Sequence, residues 1–130
     1  MNRCLLIACS ARKRPDTGLL RAVERYDGPW YRVLRGAAGD DMDVWVISAE
    51  YGLIPGDTPI PDYDRTMDMR RAQQLLPQIQ PALARALADA PETFICAGRP
   101  YVYALTQCRS SVPAIGNATV APGGIGTKMM

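Results

Sequence analysis

Cys9, Ser10 and Lys13 are the first residues in the chain whose types and spacing could do chemistry. They follow residues 4–8, a continuous apolar run of the length of a buried strand. In an open α/β sheet, ligands bind beyond the carboxyl ends of the strands, where loop amides can hold an anion. Cys9 could be a nucleophile beside a cation or the last core residue of its strand, and the two roles weigh equally. For Ser10 and Lys13, the position favours binding of a phosphate or another anion.

A second polar group follows residues 43–48, an apolar and β-branched stretch that predicts a second buried strand. The group comprises Ser48, Glu50, Tyr51 and Gly52. The ring of Tyr51 could stack on a base, and Gly52 could permit a positive φ or the close approach of a ligand. We therefore expect Ser48, Tyr51 and Gly52 to contact a substrate. The carboxylate of Glu50 is a candidate catalytic acid or base.

Residues 55–67 are rich in proline, glycine and aspartate, which predicts a long ordered loop, and such loops are often functional. Asp62, Tyr63 and Asp64 could point from this loop back toward the sheet edge. Asp64 is a candidate acid, base or nucleophile, and Tyr63 is a second ring that could stack on a base. The spacing of Asp64 and Thr66 is also typical of a helix N-cap, and for Thr66 this structural role is favoured.

Two turns that contain glycine complete the candidate site. Gly98 and Tyr101 follow a predicted strand at residues 92–97, in what resembles a tight strand-to-helix turn. Gly124 and Gly126 belong to a segment that could approach a phosphate, although their spacing does not match the dinucleotide-binding fingerprint. Because parallel strands place their carboxyl ends at one edge of a sheet, we expect all these groups to share a single crevice.

The residue types that the chain lacks restrict its chemistry. It has no histidine, so a general acid or base must be a carboxylate, Lys, Tyr or Cys with a shifted pKa. Its four cysteines include no C-x-x-C pair, and it has no glycine-rich P-loop. We therefore predict no metal site, no cofactor and no nucleoside triphosphatase activity. Cys4 and Cys96 lie in predicted strands and are expected to be reduced core residues.

Length and composition predict one domain over residues 1–130. The chain has 130 residues, of which 48% are hydrophobic and 22% charged, and its net charge of +2 does not by itself indicate a nucleic-acid binder. The sequence shows neither a secretory signal pattern nor a bilayer-spanning stretch, so we expect a cytoplasmic protein without a membrane partner. The oligomeric state stays open, with a homodimer among the alternatives.

The apolar periodicity indicates strands that alternate with helices. The predicted strands are residues 4–9, 43–48 and 92–97, with residues 112–115 as a candidate fourth. The predicted helices are two short ones within residues 18–35, one over residues 69–88 that Pro77 and Pro81 should kink or restart, and a short one through Gln107. This order predicts a single-domain, Rossmann-like three-layer α/β fold with a mostly parallel sheet of about four strands.

Five segments resemble, in this order, the motifs of a YaaA-like family of small bacterial and phage proteins of unknown function. They are ACSARKR after the first strand, ISAEYGLI after the second, PDYDRTM, CAGRPYVYAL and the closing GIGTKMM. The resemblance covers nearly the whole chain, with gaps in the helices. The first motif is also similar to a Cys-Ser-x-x-Lys loop in a domain of archaeosine synthase, an enzyme of 7-deazaguanine modification in tRNA. The family resemblance implies no particular reaction.

Together, these residues predict an enzyme that acts on a nucleobase, a nucleotide or a base within a nucleic acid. The reaction would be hydrolysis or transfer at the N-glycosidic bond, or modification of the base. The first loop and residues 124–126 would hold a phosphate, and Tyr51 or Tyr63 would stack on the base. Asp64 or Glu50 would serve as acid, base or nucleophile.

Two other functions fit the same residues. The first is a non-catalytic nucleic-acid-binding stress-response protein whose basic loop and tyrosines contact a strand. Its affinity would fall steeply with salt, because neutralising phosphates releases counterions. The second is a redox sensor that uses the thiol of Cys9.

Overall fold

A computed structural model describes residues 3–9, 13–15, 17–26, 31, 42–63, 65–88 and 92–120 of the chain. The strands are β1 (Arg3–Ala8), β2 (Leu20–Arg21), β3 (Met42–Ser48), β4 (Gly52–Pro55), β5 (Pro59–Ile60), β6 (Thr93–Cys96) and β7 (Thr119–Val120). The α-helices are α1 (Ala22–Arg25), α2 (Met69–Leu87) and α3 (Arg99–Thr106), and a 3₁₀-helix spans Pro113–Asn117.

The main sheet has the strand order β4-β3-β1-β6-β7, with β1 at its centre. β1 runs parallel to β3 and β6, β6 runs parallel to β7, and β4 runs antiparallel to β3. β2 and β5 form a separate antiparallel pair. The prediction of an α/β fold with a mostly parallel sheet is confirmed. The sheet has five strands rather than about four, because β4 adds an antiparallel edge that the sequence analysis did not predict.

The central strand is apolar at every inner position because both of its faces are buried, as is usual for parallel sheets covered on two sides. Successive side chains of a strand point to opposite faces. Leu6 packs among the aliphatic side chains of α2 and α3, and we call this side of the sheet the helical face. Leu5 and Ile7 pack instead with Tyr26 and Tyr31, and we call that side the tyrosine face.

A tight hairpin joins β3 to β4 through residues 49–51. Ser48 is paired with Gly52 across the hairpin, and Gly52 adopts a φ of 77°. A three-residue hairpin loop typically ends in such a left-handed position, which glycine occupies without steric cost. The sequence analysis considered a positive φ at Gly52, and the structure confirms it.

α2 begins at an N-cap in which the side chain of Asp68 accepts a hydrogen bond of 2.7 Å from the backbone N–H of Arg71. It continues through Pro77 and Pro81 without a break, although these residues were expected to kink or restart it. Both prolines are exposed, so water can solvate the carbonyls that lose their helical partners. Within the described ranges, no helix is both long and apolar enough to cross a membrane.

Two other predicted elements differ in the structure. Residues 112–115 were a candidate strand, and this prediction is wrong: the chain there enters a 3₁₀-helix, and the strand comes later, at β7. Val112 and Ile115 are both buried, because a three-residue spacing places two side chains on one side of a 3₁₀-turn. In the region predicted as two short helices, residues 20–21 form β2, residues 22–25 form α1 and residue 31 is also helical, while residues 27–30 and 32–35 lie outside the described part.

Candidate functional site

The carboxyl ends of β1, β3 and β6 meet at one edge of the sheet, because the three strands are parallel neighbours. Cys9 follows β1, Ser48 ends β3, and Gly98 is the N-cap of the helix after β6. The backbone N–H of Cys9 donates to Ile47 O at 2.9 Å, which joins the first two ends. The thiol of Cys9 lies 3.2 Å from Tyr101 Oη, which joins the first and third. The expected convergence of these strand ends is present.

Three hydroxyl groups form a hydrogen-bonded chain at this edge. Ser48 Oγ lies 2.9 Å from Tyr63 Oη, and Tyr63 Oη lies 2.5 Å from Tyr26 Oη. Ser48 and Tyr26 are fully buried, whereas Tyr63 is only half-buried. The two ends of this hydrogen-bonded chain are therefore buried and its middle member is partly exposed, and the chain links the residue after α1, the end of β3 and the loop after β5.

Lys13 places a positively charged group beside two of the tyrosine rings. Its Nζ lies 4.6 Å from the centroid of the Tyr63 ring and 6.0 Å from that of Tyr26. These distances are typical of cation–π contacts. No carboxylate pairs with Lys13 anywhere in the part of the chain that the structure describes. The ammonium group is held in place by ring faces and by a backbone bridge between Lys13 and Tyr26, so its charge can interact with an anion.

The phenols around Lys13 stay protonated at neutral pH. Burial raises the pKa of Tyr26, Tyr63 and Tyr101 well above the ordinary phenol value, and the proximity of Cys9 raises each of them further. A protonated phenol can donate and accept a hydrogen bond but cannot serve as a base. At this edge, the tyrosines are therefore neutral binding groups beside a cation.

The β3–β4 hairpin presents Glu50 and Tyr51, and both side chains are half-buried. The ring of Tyr51 meets that of Tyr63 edge to face, with centroids 5.5 Å apart. The pKa of Tyr51 is raised, first by burial and then by the carboxylate of Glu50. Glu50 forms an ion pair of 3.5 Å with Arg65, a partner that the sequence analysis did not identify.

The remaining predicted site residues are placed as follows. Gly52 is buried against α2, where a Cβ would lie 3.4 Å from Gln78, so a side chain would be crowded at this position of positive φ. Gly98 is exposed, with ordinary backbone angles and open space around its Cα, so a larger residue would fit there. The predicted site residues outside the described part are Ser10, Asp64, Gly124 and Gly126.

Sequence reasoning missed three residues near the site. Tyr26 and Tyr31 lie within residues 18–35 and were not singled out as site residues, yet the hydroxyl of Tyr31 donates to Ala8 O at the end of β1, at 2.8 Å. Arg25 is fully buried and donates to the backbone carbonyls of Arg14 and Gly18 at 2.7 Å each. The signal available in the sequence was the choice of hydrogen-bonding aromatic residues at helix positions that leucine could fill.

Arg25 also fixes the backbone beside Lys13. Its side chain donates to the carbonyl of Arg14, and its own carbonyl accepts from the N–H of Arg14 at 2.7 Å. A third contact, to Ile60 O at 3.3 Å, reaches β5. A buried arginine with several carbonyl partners holds a loop that has no regular secondary structure, and Lys13 precedes Arg14 in that loop.

A model of a family of unknown function (DUF6884) matches residues 4–129. The chain belongs to this family. No curated protein and no solved structure shows a significant match to it. The matched range contains all of the predicted site residues, from Cys9 to Gly126.

The cysteines of this family member differ in their surroundings. Cys4, Cys96 and Cys108 are buried, as expected for the first two, whereas Cys9 is half-buried at the site. Burial, and then the carboxylate of Asp43, raise the pKa of Cys4 to about 12, so this thiol is unreactive. Among the described residues, no cluster of three acidic or cysteine side chains could hold a metal ion.

Proposed function

We propose that this protein is an enzyme that acts on a nucleobase, a nucleotide or a base within a nucleic acid. The observation that carries the proposal is the position of Lys13, whose ammonium group lies over the ring of Tyr63 without a carboxylate partner in the described part of the chain. A cation beside neutral hydrogen-bonding phenols and a half-buried aromatic ring suits a ligand that has a phosphate and a flat ring.

The proposed roles follow from what each side chain offers. Lys13 neutralises the phosphate, with Ser10 nearby in the sequence as a second binding residue. Tyr51 stacks on the base, since its ring is half-buried and is held against Tyr63 in an edge-to-face pair. Tyr101 and the thiol of Cys9 border the same edge, where either could hydrogen-bond to the base.

Proton transfer falls to the carboxylates, because the chain has no histidine and its buried phenols stay protonated. Glu50 is next to Tyr51 in the hairpin, and its side chain lies 3.5 Å from Arg65. Asp64 follows Tyr63 directly in the sequence and is the second candidate. Either carboxylate could activate water for hydrolysis of an N-glycosidic bond, or attack the sugar as a nucleophile.

The finer structural relationships belong to the same proposal. The helical face and the tyrosine face are both covered, which supports a Rossmann-like three-layer arrangement. The five sequence motifs support a relationship to the YaaA-like proteins. The contacts among Cys9, Ser48, Tyr63 and Tyr101 give four of these motifs a common place at the sheet edge.

The proposal is tested by a thermal-shift screen of bases, nucleosides and nucleoside monophosphates, followed by titration of any ligand that raises the melting temperature. Lys13→Ala should weaken nucleotide binding roughly tenfold or more while leaving nucleoside binding nearly unchanged, because it removes one charged contact to phosphate. Tyr51→Ala should weaken both. Arg85→Ala is the matched control, since it removes the same charge from an exposed position of α2.

Three results would contradict the proposal or change its class. Equal nucleotide affinity of Lys13→Ala and the wild-type protein would remove the phosphate role. Absence of any ligand in the screen, together with salt-sensitive binding of single-stranded nucleic acid, would favour the non-catalytic nucleic-acid-binding function instead. Binding of a nucleotide without release or modification of the base, judged by chromatography, would leave a binding protein rather than an enzyme.

A further inference from the structure

We propose that Ser48 is a positioning residue that couples the turn at residues 49–51 to Tyr63, so that Tyr51 and Tyr63 keep their mutual arrangement when a ligand binds. The coupling itself is a property of the protein alone. Its consequence for the ligand rests on the proposed function. Ser48 is fully buried, so it acts through these neighbours rather than by touching a ligand.

The direction of each hydrogen bond at Ser48 follows from the capacity of a hydroxyl group. Ser48 Oγ has one proton to donate and accepts two hydrogen bonds through its lone pairs. The backbone N–H groups of Glu50 and Tyr51 both donate to it, at 3.1 Å each. With both acceptor positions in use, its proton goes to Tyr63 Oη at 2.9 Å. One hydroxyl therefore fixes the turn and also a phenol 15 residues further along the chain.

The same turn is held from its other side by Arg71, which provides an internal comparison. Its Nε donates to Ala49 O at 2.7 Å, and its Nη2 donates to Glu50 O at 3.2 Å. The carbonyls of the turn are thus bound from α2, and two of its N–H groups are bound by Ser48. Among the hydrogen bonds of the described residues, none joins Arg71 to Tyr63. Both residues hold the turn, but of the two it is Ser48 that is hydrogen-bonded to the hydroxyl of Tyr63.

Tyr63→Phe isolates this link, because it removes the acceptor of the Ser48 proton and keeps the ring that contacts Tyr51. Tyr63 makes no hydrogen bond to the turn itself, since its hydroxyl partners are Ser48 and Tyr26. A change at the amides of Glu50 and Tyr51 then arrives through Ser48 or through the ring contact between Tyr63 and Tyr51, and the double variant with Ser48→Ala distinguishes the two routes. Without the phenol oxygen of Tyr63 as its acceptor, the hydroxyl of Ser48 is free to rotate away from the two backbone N–H groups that donate to it.

The experiment is amide hydrogen exchange, resolved by residue, on the full chain and five variants: Ser48→Ala, Tyr63→Phe, Arg71→Gln and the double variants of Tyr63→Phe with each of the other two. Ser48→Ala should speed exchange at Glu50 and Tyr51 roughly five- to tenfold, because each amide loses its partner. Tyr63→Phe should speed exchange at the same amides, by a smaller factor of roughly two to five. Tyr63→Phe should not speed exchange further when it is combined with Ser48→Ala. When it is combined with Arg71→Gln, Tyr63→Phe should speed exchange by the same factor as it does alone.

Unchanged exchange at these two amides in Tyr63→Phe would overturn the proposal, and so would an effect that adds to that of Ser48→Ala. The control is the exchange rate of amides elsewhere in the protein. If these rates are the same in Tyr63→Phe and in the wild-type protein, global unfolding does not produce the signal. If Ser48→Ala fails to fold, Tyr63→Phe and Arg71→Gln still test the proposal. Coupling requires that Tyr63→Phe by itself changes the exchange rate at the amides of Glu50 and Tyr51.

A second measurement concerns the ligand, with adenosine 5′-monophosphate as the probe. Ser48→Ala and Tyr63→Phe should weaken its binding by the same factor, and the double variant should weaken it no further. Independent contributions would contradict the proposed role of Ser48 in ligand binding. Failure of the wild-type protein to bind the probe would count against the proposed function, while hydrogen exchange alone would then decide the coupling.

Discussion

The two faces of the sheet are built from different kinds of side chain. The helical face consists of aliphatic residues such as Leu75, Ile79 and Leu83, which are almost completely buried and have no polar group to satisfy. The tyrosine face buries phenols and an arginine, Arg25, whose polar atoms need partners. Burying a polar group without a hydrogen bond is costly, so each such residue restricts the positions of its neighbours.

This difference indicates which face serves the fold and which serves the site. An aliphatic core tolerates many arrangements of similar volume, because apolar contacts have no direction. Hydrogen-bonded phenols tolerate few, because their partners must lie at set distances and angles. The hydroxyl groups of Tyr26 and Tyr63 hold each other beside Lys13, and Tyr31 holds the end of β1. The tyrosine face thus positions the strand ends at which the candidate site lies.

The largest expected effect on stability belongs to the helical face. Leu83→Ala should lower the free energy of unfolding by about 2–5 kcal/mol, because Leu83 is completely buried and its removal leaves a cavity among α2, α3 and the sheet. Urea unfolding followed by circular dichroism measures this loss. Ligand affinity of the folded fraction should stay near that of the wild-type protein, and a selective loss of affinity would contradict the division of roles between the faces.

A smaller effect, shared by both faces, appears at alkaline pH. Burial raises the pKa of Cys4 from 9.0 to about 12, and it also raises the pKa of Tyr26 and Tyr63 above the ordinary phenol value. The unfolded chain then releases these protons at lower pH than the folded chain does. Stability is therefore retained in full below about pH 9 and falls as the pH rises toward 12, since the folded state binds more protons in that range.

Urea unfolding at a series of pH values, with tyrosine ionisation followed by ultraviolet absorbance, tests this dependence. Cys4→Ala should make the free energy of unfolding fall less steeply with pH, by the contribution of the helical face. Tyr26→Phe should remove part of the contribution of the tyrosine face. Ionisation of Tyr26 and Tyr63 should coincide with unfolding rather than precede it. A stability that stays constant up to pH 12 would show that these groups are not buried in solution as they are in the structure.

The helical face was far easier to predict from sequence than the tyrosine face. The apolar run before Cys9 and the spacing of Leu75, Ile79 and Leu83 are local signals, and they correctly indicated β1 and α2. β4 was missed because it is four residues long and its pairing with β3 depends on a single turn, in which Gly52 takes a positive φ. Short strands next to tight turns have little periodicity of their own.

The contacts of the site depend on residues far apart in the sequence, which no local pattern reveals. Tyr26 and Tyr63 are 37 positions apart, and Cys9 and Tyr101 are 92 apart. The strand-end rule correctly brought Cys9, Ser48 and Tyr101 to one edge, because it uses topology rather than local spacing. It could not show that Tyr26 joins them, since a tyrosine in a short helix fits the surface as well as the core.

The smallest effect on stability, and the sharpest test of catalysis, is expected at Glu50. Its ion pair with Arg65 is partly exposed, so Glu50→Gln should change the free energy of unfolding by less than about 1 kcal/mol. If Glu50 is the general acid or base, the same variant should lower turnover roughly 10²- to 10⁴-fold, because glutamine keeps the shape but cannot exchange the proton. Arg65→Gln is the matched control, since it breaks the same ion pair and leaves the carboxylate in place. Equal losses of turnover in both variants would assign the effect to the ion pair, and no loss in either would pass the catalytic role to Asp64.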